Sequence, residues 1–196
     1  GGGGVIRSVA VDPASGKIYI GGDFVQYDFQ TQNRVSRLNS NGSLDPTFLD
    51  PANPALGANA RIRSLALDSQ GRLLVAGDFT SFNGNGSYAR IARIGTSGVN
   101  DGVLDTSFLA TPGADAAVFV VKVDPANPSD STDDRIVIAG DFTKVNGKNR
   151  TRVARLKNNG LLDPSINFGT GPDNFVASVA LQPTVTGDGV ITIGGG

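Results

Sequence analysis

An internal repeat limits what this chain can become. The segments Ile20-Gly21-Gly22-Asp23-Phe24, Val75-Ala76-Gly77-Asp78-Phe79, Ile138-Ala139-Gly140-Asp141-Phe142 and Ile193-Gly194-Gly195 put the same glycine at 22, 77, 140 and 195, at spacings of 55, 63 and 55. A second anchor at the end of an apolar stretch, Asp12, Asp68, Asp124 and Gln182, gives 56, 56 and 58. The eight-residue excess of the third unit falls between the two anchors, in a Pro-, Asn-, Ser- and Asp-rich stretch over 125–134 with the chemistry of a turn. Units of this kind bury their apolar faces by stacking on one another. The chain divides into repeat 1 (5–60), repeat 2 (61–117), repeat 3 (118–175) and a partial repeat 4 (176–196), behind a Gly-rich end at 1–4.

Each unit reads as a small antiparallel sheet. Ile6-Arg7-Ser8-Val9-Ala10-Val11 and Ile62-Arg63-Ser64-Leu65-Ala66-Leu67 alternate apolar and polar positions, predicting a strand with one buried face. In the second strand Leu73, Val75, Gly77 and Phe79 share one face, while the other carries Leu74 and Ala76. A strand apolar on both sides belongs to a sheet covered on both sides. The third strand is Arg34-Val35-Ser36-Arg37-Leu38, then Arg90-Ile91-Ala92-Arg93-Ile94, then Arg152-Val153-Ala154-Arg155-Leu156. A short closing element follows as Leu44-Asp45-Pro46-Thr47-Phe48, Leu104-Asp105-Thr106-Ser107-Phe108 and Leu162-Asp163-Pro164-Ser165. No stretch has helical periodicity, and 27 Gly and 10 Pro punctuate the chain. The fold class is therefore all-β, a β-propeller-like array of about 3.5 blades. Rings of this type use roughly four to eight blades, so the chain reads as a fragment of a larger propeller.

Composition excludes most familiar chemistry. The chain has no His and no Cys, so it lacks an imidazole base, an imidazole metal ligand, a thiolate nucleophile and disulfides. Seventeen basic residues against eighteen acidic ones leave a net charge of -1, which draws the protein neither to nucleic acid nor to an anionic membrane. Apolar stretches are strand-sized, well short of the roughly 20 residues of a membrane span.

Gly-Gly/Ala-Gly-Asp-Phe, Arg-Val/Ile-Ala/Ser-Arg-Leu/Ile, an Asn-Gly turn and Leu-Asp-Pro/Thr-Thr/Ser-Phe, recurring in fixed order over residues 5–196, resemble the delta-60 repeat family. The resemblance implies a β-propeller-like fold and an extracellular or bacterial cell-surface location, within large bacterial proteins. The chain departs from the pattern in the longer turn over 94–101 and in the insertion before Arg135.

Fifteen positions recur as candidate structural residues: Gly22, Asp23, Phe24, Arg37 and Asp45, then Gly77, Asp78, Phe79, Arg93 and Asp105, then Gly140, Asp141, Phe142, Arg155 and Asp163. Carboxylates and guanidinium groups at matching places in every unit predict ion pairs that tie strands together, because Arg offers a planar fork to a carboxylate. The glycines sit inside strands, where a missing side chain lets another strand come close, and not before a helix as a phosphate loop requires. The alternative use of acidic residues is calcium, with Asp130, Asp133 and Asp134 in the long loop as the candidate set. Tyr19, Tyr27 and Tyr88 occupy non-equivalent positions and form no stripe for stacking sugars.

The expected function is a non-enzymatic structural or adhesive module without a required cofactor. Its expected partners are further repeats of the same or a longer chain, including a homo-oligomer or surface assembly, with no nucleic acid and no membrane span. The alternative is a glycan- or peptide-binding propeller reading its ligand through variable loops at 26–33, 81–88 and 126–134. A carboxylate-dependent hydrolase comes third.

Overall fold

The computed structural model describes residues 4–49, 53, 56–125, 133–166, 168–182 and 190–196. Blade 1 contains β1 (Ile6–Val11), β2 (Ile18–Gly22), a small hairpin of β3 (Gln26–Tyr27) and β4 (Gln30–Thr31), and β5 (Val35–Leu38). Its sheet has the antiparallel order β1-β2-β5. Blade 2 repeats this with β6 (Ile62–Leu67), β7 (Leu73–Gly77) and β8 (Ile91–Ile94), followed by a 3-10 turn at Gly98–Asn100. Blade 3 uses β9 (Val118–Pro125), β10 (Asp134–Gly140), the hairpin β11 (Lys144–Val145) and β12 (Lys148–Asn149), and β13 (Val153–Lys157), with β10 in the middle. Blade 4 is the pair β14 (Val176–Gln182) and β15 (Val190–Gly195). The closing elements each contribute one bridge to the third strand, Leu38 to Leu44, Ile94 to Leu104 and Leu156 to Leu162, where a full fourth strand would lie.

The first strands do not follow simple alternation. Arg7, Arg63, Phe119 and Ala177 are each an extra residue against the second strand, a β-bulge at the same place in every blade. The bulge turns residues three apart onto one face, so Ile62 and Leu65 are both buried in blade 2 and Val118 and Val121 in blade 3.

The blades stack through these first strands. β6 lies between β1 and β9, and β9 packs on β14. Leu73, Val75 and Phe79 of blade 2 join Tyr19, Val35 and Phe48 of blade 1 in one core. The opposite face of blade 2, with Leu74, Ala76 and Ile91, joins Val118, Val121, Ile136 and Ile138 of blade 3 in another. Val137 and Ala139 then meet Val176 and Val179 of blade 4. The middle strand of blade 2 is buried along its whole length because each of its faces belongs to a different core.

Candidate functional site

The recurrent polar residues separate into two groups, one at each end of the blades. The glycine and first aspartate of the repeat sit beside the bulge. A Cβ on Gly22, Gly77, Gly140 or Gly195 would lie 1.9 to 2.2 Å from the carbonyl oxygens of Val5, Arg61, Ala117 and Phe175, a distance no side chain tolerates. The backbone N–H of the next residue donates to that same carbonyl, from Asp23 to Val5 and from Asp78 to Arg61 at 2.8 Å, and from Asp141 to Ala117 at 2.9 Å. The bulge brings its own side chain to the aspartate. Arg7 donates to Asp23 Oδ2 through Nε at 3.0 Å and Nη2 at 2.6 Å, and Arg63 grips both oxygens of Asp78 at 2.6 and 3.0 Å.

Arg61 of blade 2 crosses to Asp23 Oδ1 of blade 1 at 2.6 Å. The Arg7 hydrogen bond, with help from Arg61, holds the Asp23 carboxyl down at about 2. Blade 3 breaks the pattern, because Phe119 occupies the bulge. Asp141 turns to Arg152 Nη1 at 2.6 Å, while Arg63 lies over the Phe119 ring at 4.5 Å and Phe119 meets Phe175 edge-on at 5.9 Å.

The repeat phenylalanines are core. Phe24, Phe79 and Phe142 are buried, and their carbonyls accept the N–H of Arg34, Arg90 and Arg152 at 3.0, 2.8 and 2.8 Å. Those arginines have φ of 71, 70 and 66°, a left-handed conformation that costs energy for a non-glycine residue and is held here by the same bond in each blade.

The second group joins the third strand to the closing element. Arg37, Arg93 and Arg155 donate through Nε to Asp45, Asp105 and Asp163, each at 2.8 Å. The other carboxylate oxygen accepts the backbone N–H and the hydroxyl two residues on, from Thr47, Ser107 and Ser165. Arg37 and Arg93 also lie over Phe48 and Phe108 at 4.9 and 4.7 Å. Burial alone would raise the pKa of the three aspartates, yet each is lowered, because the hydroxyl, amide and guanidinium donors, led at Asp45 by the Lys17 ammonium at 2.7 Å, outweigh desolvation. Of the two aspartate sets that recur with Arg37, Arg93 and Arg155, these arginines therefore take the closing-element aspartates, while Asp23, Asp78 and Asp141 turn to Arg7, Arg63 and Arg152.

The same arginines clasp the following blade. Arg37 reaches both oxygens of Asp101 at 2.6 and 2.7 Å and the Thr96 carbonyl at 3.0 Å. Arg93 reaches the carbonyl and side-chain oxygen of Asn158 at 2.5 and 2.9 Å. Arg7, Arg61, Arg63, Asp101 and Asn158 were not among the candidates, although the shared Ile-Arg-Ser of repeats 1 and 2 was a signal for Arg7 and Arg63.

The candidate calcium set does not assemble among the described residues. Asp130 lies outside them, Asp133 is exposed, and Asp134 is buried with its carboxylate accepting the N–H and hydroxyl of Ser69 at 2.8 and 2.6 Å. No group of three metal-ligating side chains occurs among the described residues. Tyr19 is buried edge-on against Phe48, Tyr88 is buried, and Tyr27 donates its hydroxyl to the Gly42 carbonyl at 2.8 Å.

The strand ends that carry the proposed recognition loops do not share one rim. The segments 26–33 and 81–88 leave the blades at the bulge end, whereas the β9–β10 connection leaves beyond the Asp134–Pro125 pair, at the other end. Residues 126–132 of that connection lie outside the described residues. On this second rim a groove of about 720 Å³ runs between blades 2 and 3, lined by Arg72, Arg93, Lys157, Asn158 and Asp163 among others. Among the described residues no helix is long and apolar enough to cross a membrane.

No curated protein matches the chain. A family model, that of the domain of unknown function (DUF5122) beta-propeller, matches residues 14–48, 69–99 and 132–165. Each match starts at or just before the second strand of a blade, and together the three cover about half of the chain. With three matches falling on three stacked sheets of one design, the chain belongs to the DUF5122 beta-propeller family.

Proposed function

We propose that the chain is a non-enzymatic structural and adhesive repeat module of the delta-60 type, part of a large bacterial extracellular or cell-surface protein, which assembles through its repeat faces and needs no cofactor. The observation that carries this is the engagement of the repeated polar groups. The guanidinium groups of Arg37 and Arg93 each hold an aspartate of their own blade and a loop of the next. Groups committed to hydrogen bonds within and between blades supply rigidity.

The test is to treat intact cells of the source organism with protease and follow the chain with an antibody, alongside a hydrolase panel and a glycan array on the purified protein. Loss of the chain from intact cells, with silence in both assays, is the expected outcome. Persistence of the chain until the cells are lysed overturns the surface location, and turnover lost on carboxylate substitution overturns the non-enzymatic assignment. The second reading, a glycan- or peptide-binding propeller, draws support from the 720 Å³ groove between blades 2 and 3. Saturable binding to one glycan or peptide, abolished by Lys157→Ala, would establish it.

A further inference from the structure

We propose that the bulge end of the stack docks on an anionic lipid bilayer, with the Phe29 ring inserted from the tip of the β3–β4 hairpin and the basic β11–β12 hairpin held against the headgroups. This goes beyond the module assignment above and stands without it.

Phe29 occupies a place that the other blades give to glycine. The β3–β4 hairpin closes on the two-residue turn Asp28-Phe29, between the paired Tyr27 and Gln30. The same turn is Asn83-Gly84 between Phe82 and Asn85 in blade 2, and Asn146-Gly147 between Val145 and Lys148 in blade 3. All of these turn residues have positive φ, 46 and 61° in blade 1, 48 and 75° in blade 2, and 51 and 72° in blade 3. Asn-Gly suits such a turn, whereas a bulky side chain at its second position is strained. The ring gains no packing in return, because Phe29 is 95% exposed. A blade stacked on blade 1 would not cover it either. A Cβ on Gly84 or Gly147 would have nothing within 4 Å, although blades 2 and 3 each stack on the blade before them. A ring that carries strain and packs on nothing of its own chain points to a contact outside it.

The nature of that contact is read from the same end of the stack. The overall charge of -1 conceals a local excess, because the β11–β12 hairpin, which leaves blade 3 from the end where β3–β4 leaves blade 1, carries Lys144, Lys148 and Arg150. By the pairing of the two hairpins these stand where blade 1 has Gln26, Gln30 and Gln32. Lys144 and Lys148 are exposed and Arg150 is half-buried. None of the three forms an ion pair among the described residues, and Arg150 donates only to the Asn149 carbonyl. The nearest carboxylates are engaged, Asp115 with the N–H groups of Thr143 and Lys144 and the Thr143 hydroxyl, and Asp141 with Arg152. Asp28 and Asp173 are the exposed acidic residues that oppose them.

A lipid surface fits both features together. Phe29 stands at a convex apex and not in a pocket, and Tyr27 beside it turns away to donate to the Gly42 carbonyl at 2.8 Å, so no platform for a sugar ring is built there. A bilayer needs no platform, since it offers apolar depth to the ring and anionic headgroups to the cations on the same rim. Either feature alone would attach the chain weakly, and the two act on one surface because both hairpins leave the blades at one end.

The test is co-sedimentation of residues 1–196 with phosphatidylcholine vesicles, with and without about 30% phosphatidylglycerol. Binding to the anionic vesicles alone, weakened by salt, is the expected result. Phe29→Gly gives blade 1 the residue of blades 2 and 3; it is expected to weaken binding about tenfold while the thermal midpoint holds or rises, because the strained turn is relieved. Lys144→Gln, Lys148→Gln and Arg150→Gln together put the residues of blade 1 on the hairpin of blade 3 and are expected to weaken binding about a hundredfold, about fivefold for each charge, with the circular dichroism spectrum unchanged. Since the chain has no tryptophan, Phe29→Trp supplies a single reporter, whose emission is expected to shift to the blue on anionic vesicles and to be quenched by lipids brominated near the headgroup. Absence of binding, or a Phe29→Gly variant that binds as the unaltered chain does, would overturn the proposal. Emission from Phe29→Trp that keeps its aqueous position while the chain is bound would overturn insertion and identify attachment by charge alone. Equal binding to neutral vesicles would overturn the part given to the basic hairpin, and a lowered midpoint in Phe29→Gly would make Phe29 a structural residue.

Discussion

Replacing Gly77 with alanine tests why the repeat carries a glycine beside the bulge. The new Cβ would stand 2.1 Å from the Arg61 carbonyl oxygen and 2.9 Å from Ile62 Cα, both backbone atoms of the neighbouring strand. Contact at van der Waals distance needs more than 3 Å, so β6 and β7 must part by about 1 Å at the place where they are buried between two blades. That movement breaks the bonds from Asp78 N–H to Arg61, at 2.8 Å, and from Gly77 N–H to Arg90, at 3.0 Å. Each is worth about 1 kcal/mol, and strain with a loosened Asp78–Arg63 pair brings the expected loss to about 3 kcal/mol. Against a total stability of about 5–15 kcal/mol this is large. The assay is equilibrium unfolding in urea followed by circular dichroism, since the chain has no tryptophan to report by fluorescence. Gly86→Ala is the control, because a Cβ there would have Thr80 O at 3.9 Å as its nearest neighbour and the φ is not left-handed. A Gly77→Ala midpoint as close to wild type as that of Gly86→Ala would refute the steric argument.

Asp105→Asn removes the nearer of the two carboxylates that face Arg93, which is 2% exposed and keeps Asp68 at 3.8 Å, and is expected to cost about 1–3 kcal/mol in the same unfolding assay, while a change at the half-exposed Asp141 costs well under 1 kcal/mol. The pH dependence follows from carboxylates whose folded pKa lies below the ordinary 3.8: Asp23 at about 2, and Asp45, Asp105 and Asp163 also lowered. Their stabilisation is complete above 3.8 and is lost as pH falls from there through about 2, so the thermal midpoint should drop steeply in that window; without histidine it should be nearly flat between about pH 5 and 8. Dialysis against EDTA should leave the thermal midpoint unchanged, because both oxygens of the Asp134 carboxylate already accept hydrogen bonds from Ser69; a fall reversed by calcium would support the metal-site reading.

The stacking of sheets was legible in the sequence because it rests on period and burial, which a single strand such as Leu73-Leu74-Val75-Ala76-Gly77 displays by being apolar on both faces. The bulge was not legible. Ile62 and Leu65 read as opposite faces under strict alternation, and only the pairing with β7 shows that Arg63 is inserted between them. The polar pairing was half legible. Arg37 with Asp45 lies eight residues apart and recurs as Arg155 with Asp163, but spacing did not decide between Asp45 and Asp23 as the partner. Arg37 with Asp101 spans 64 residues and ends in the turn where repeat 2 departs from its siblings, so repetition gave no cue. The strands leave toward the loops proposed to act together from different ends, because sequence shows which segments vary but not which end of a strand they leave from.

The division of polar groups between the two ends of the blades follows from the burial itself. With both faces of β7 in apolar cores, the strand ends are the places where charged side chains keep water or a partner within reach, and there blades 1 to 3 repeat a carboxylate held by arginine. Repetition of a charged motif in a stacked array therefore points to the requirements of stacking, and individuality has to be sought where the motif fails. Phe119 is such a place. It replaces an arginine, releases Asp141 to a 53% exposed position, and puts an aromatic pair beside Arg63 at the bulge end. Any property that belongs to this chain and not to its repeat is to be looked for first where Phe119, Asp101 and Asn158 depart from their counterparts.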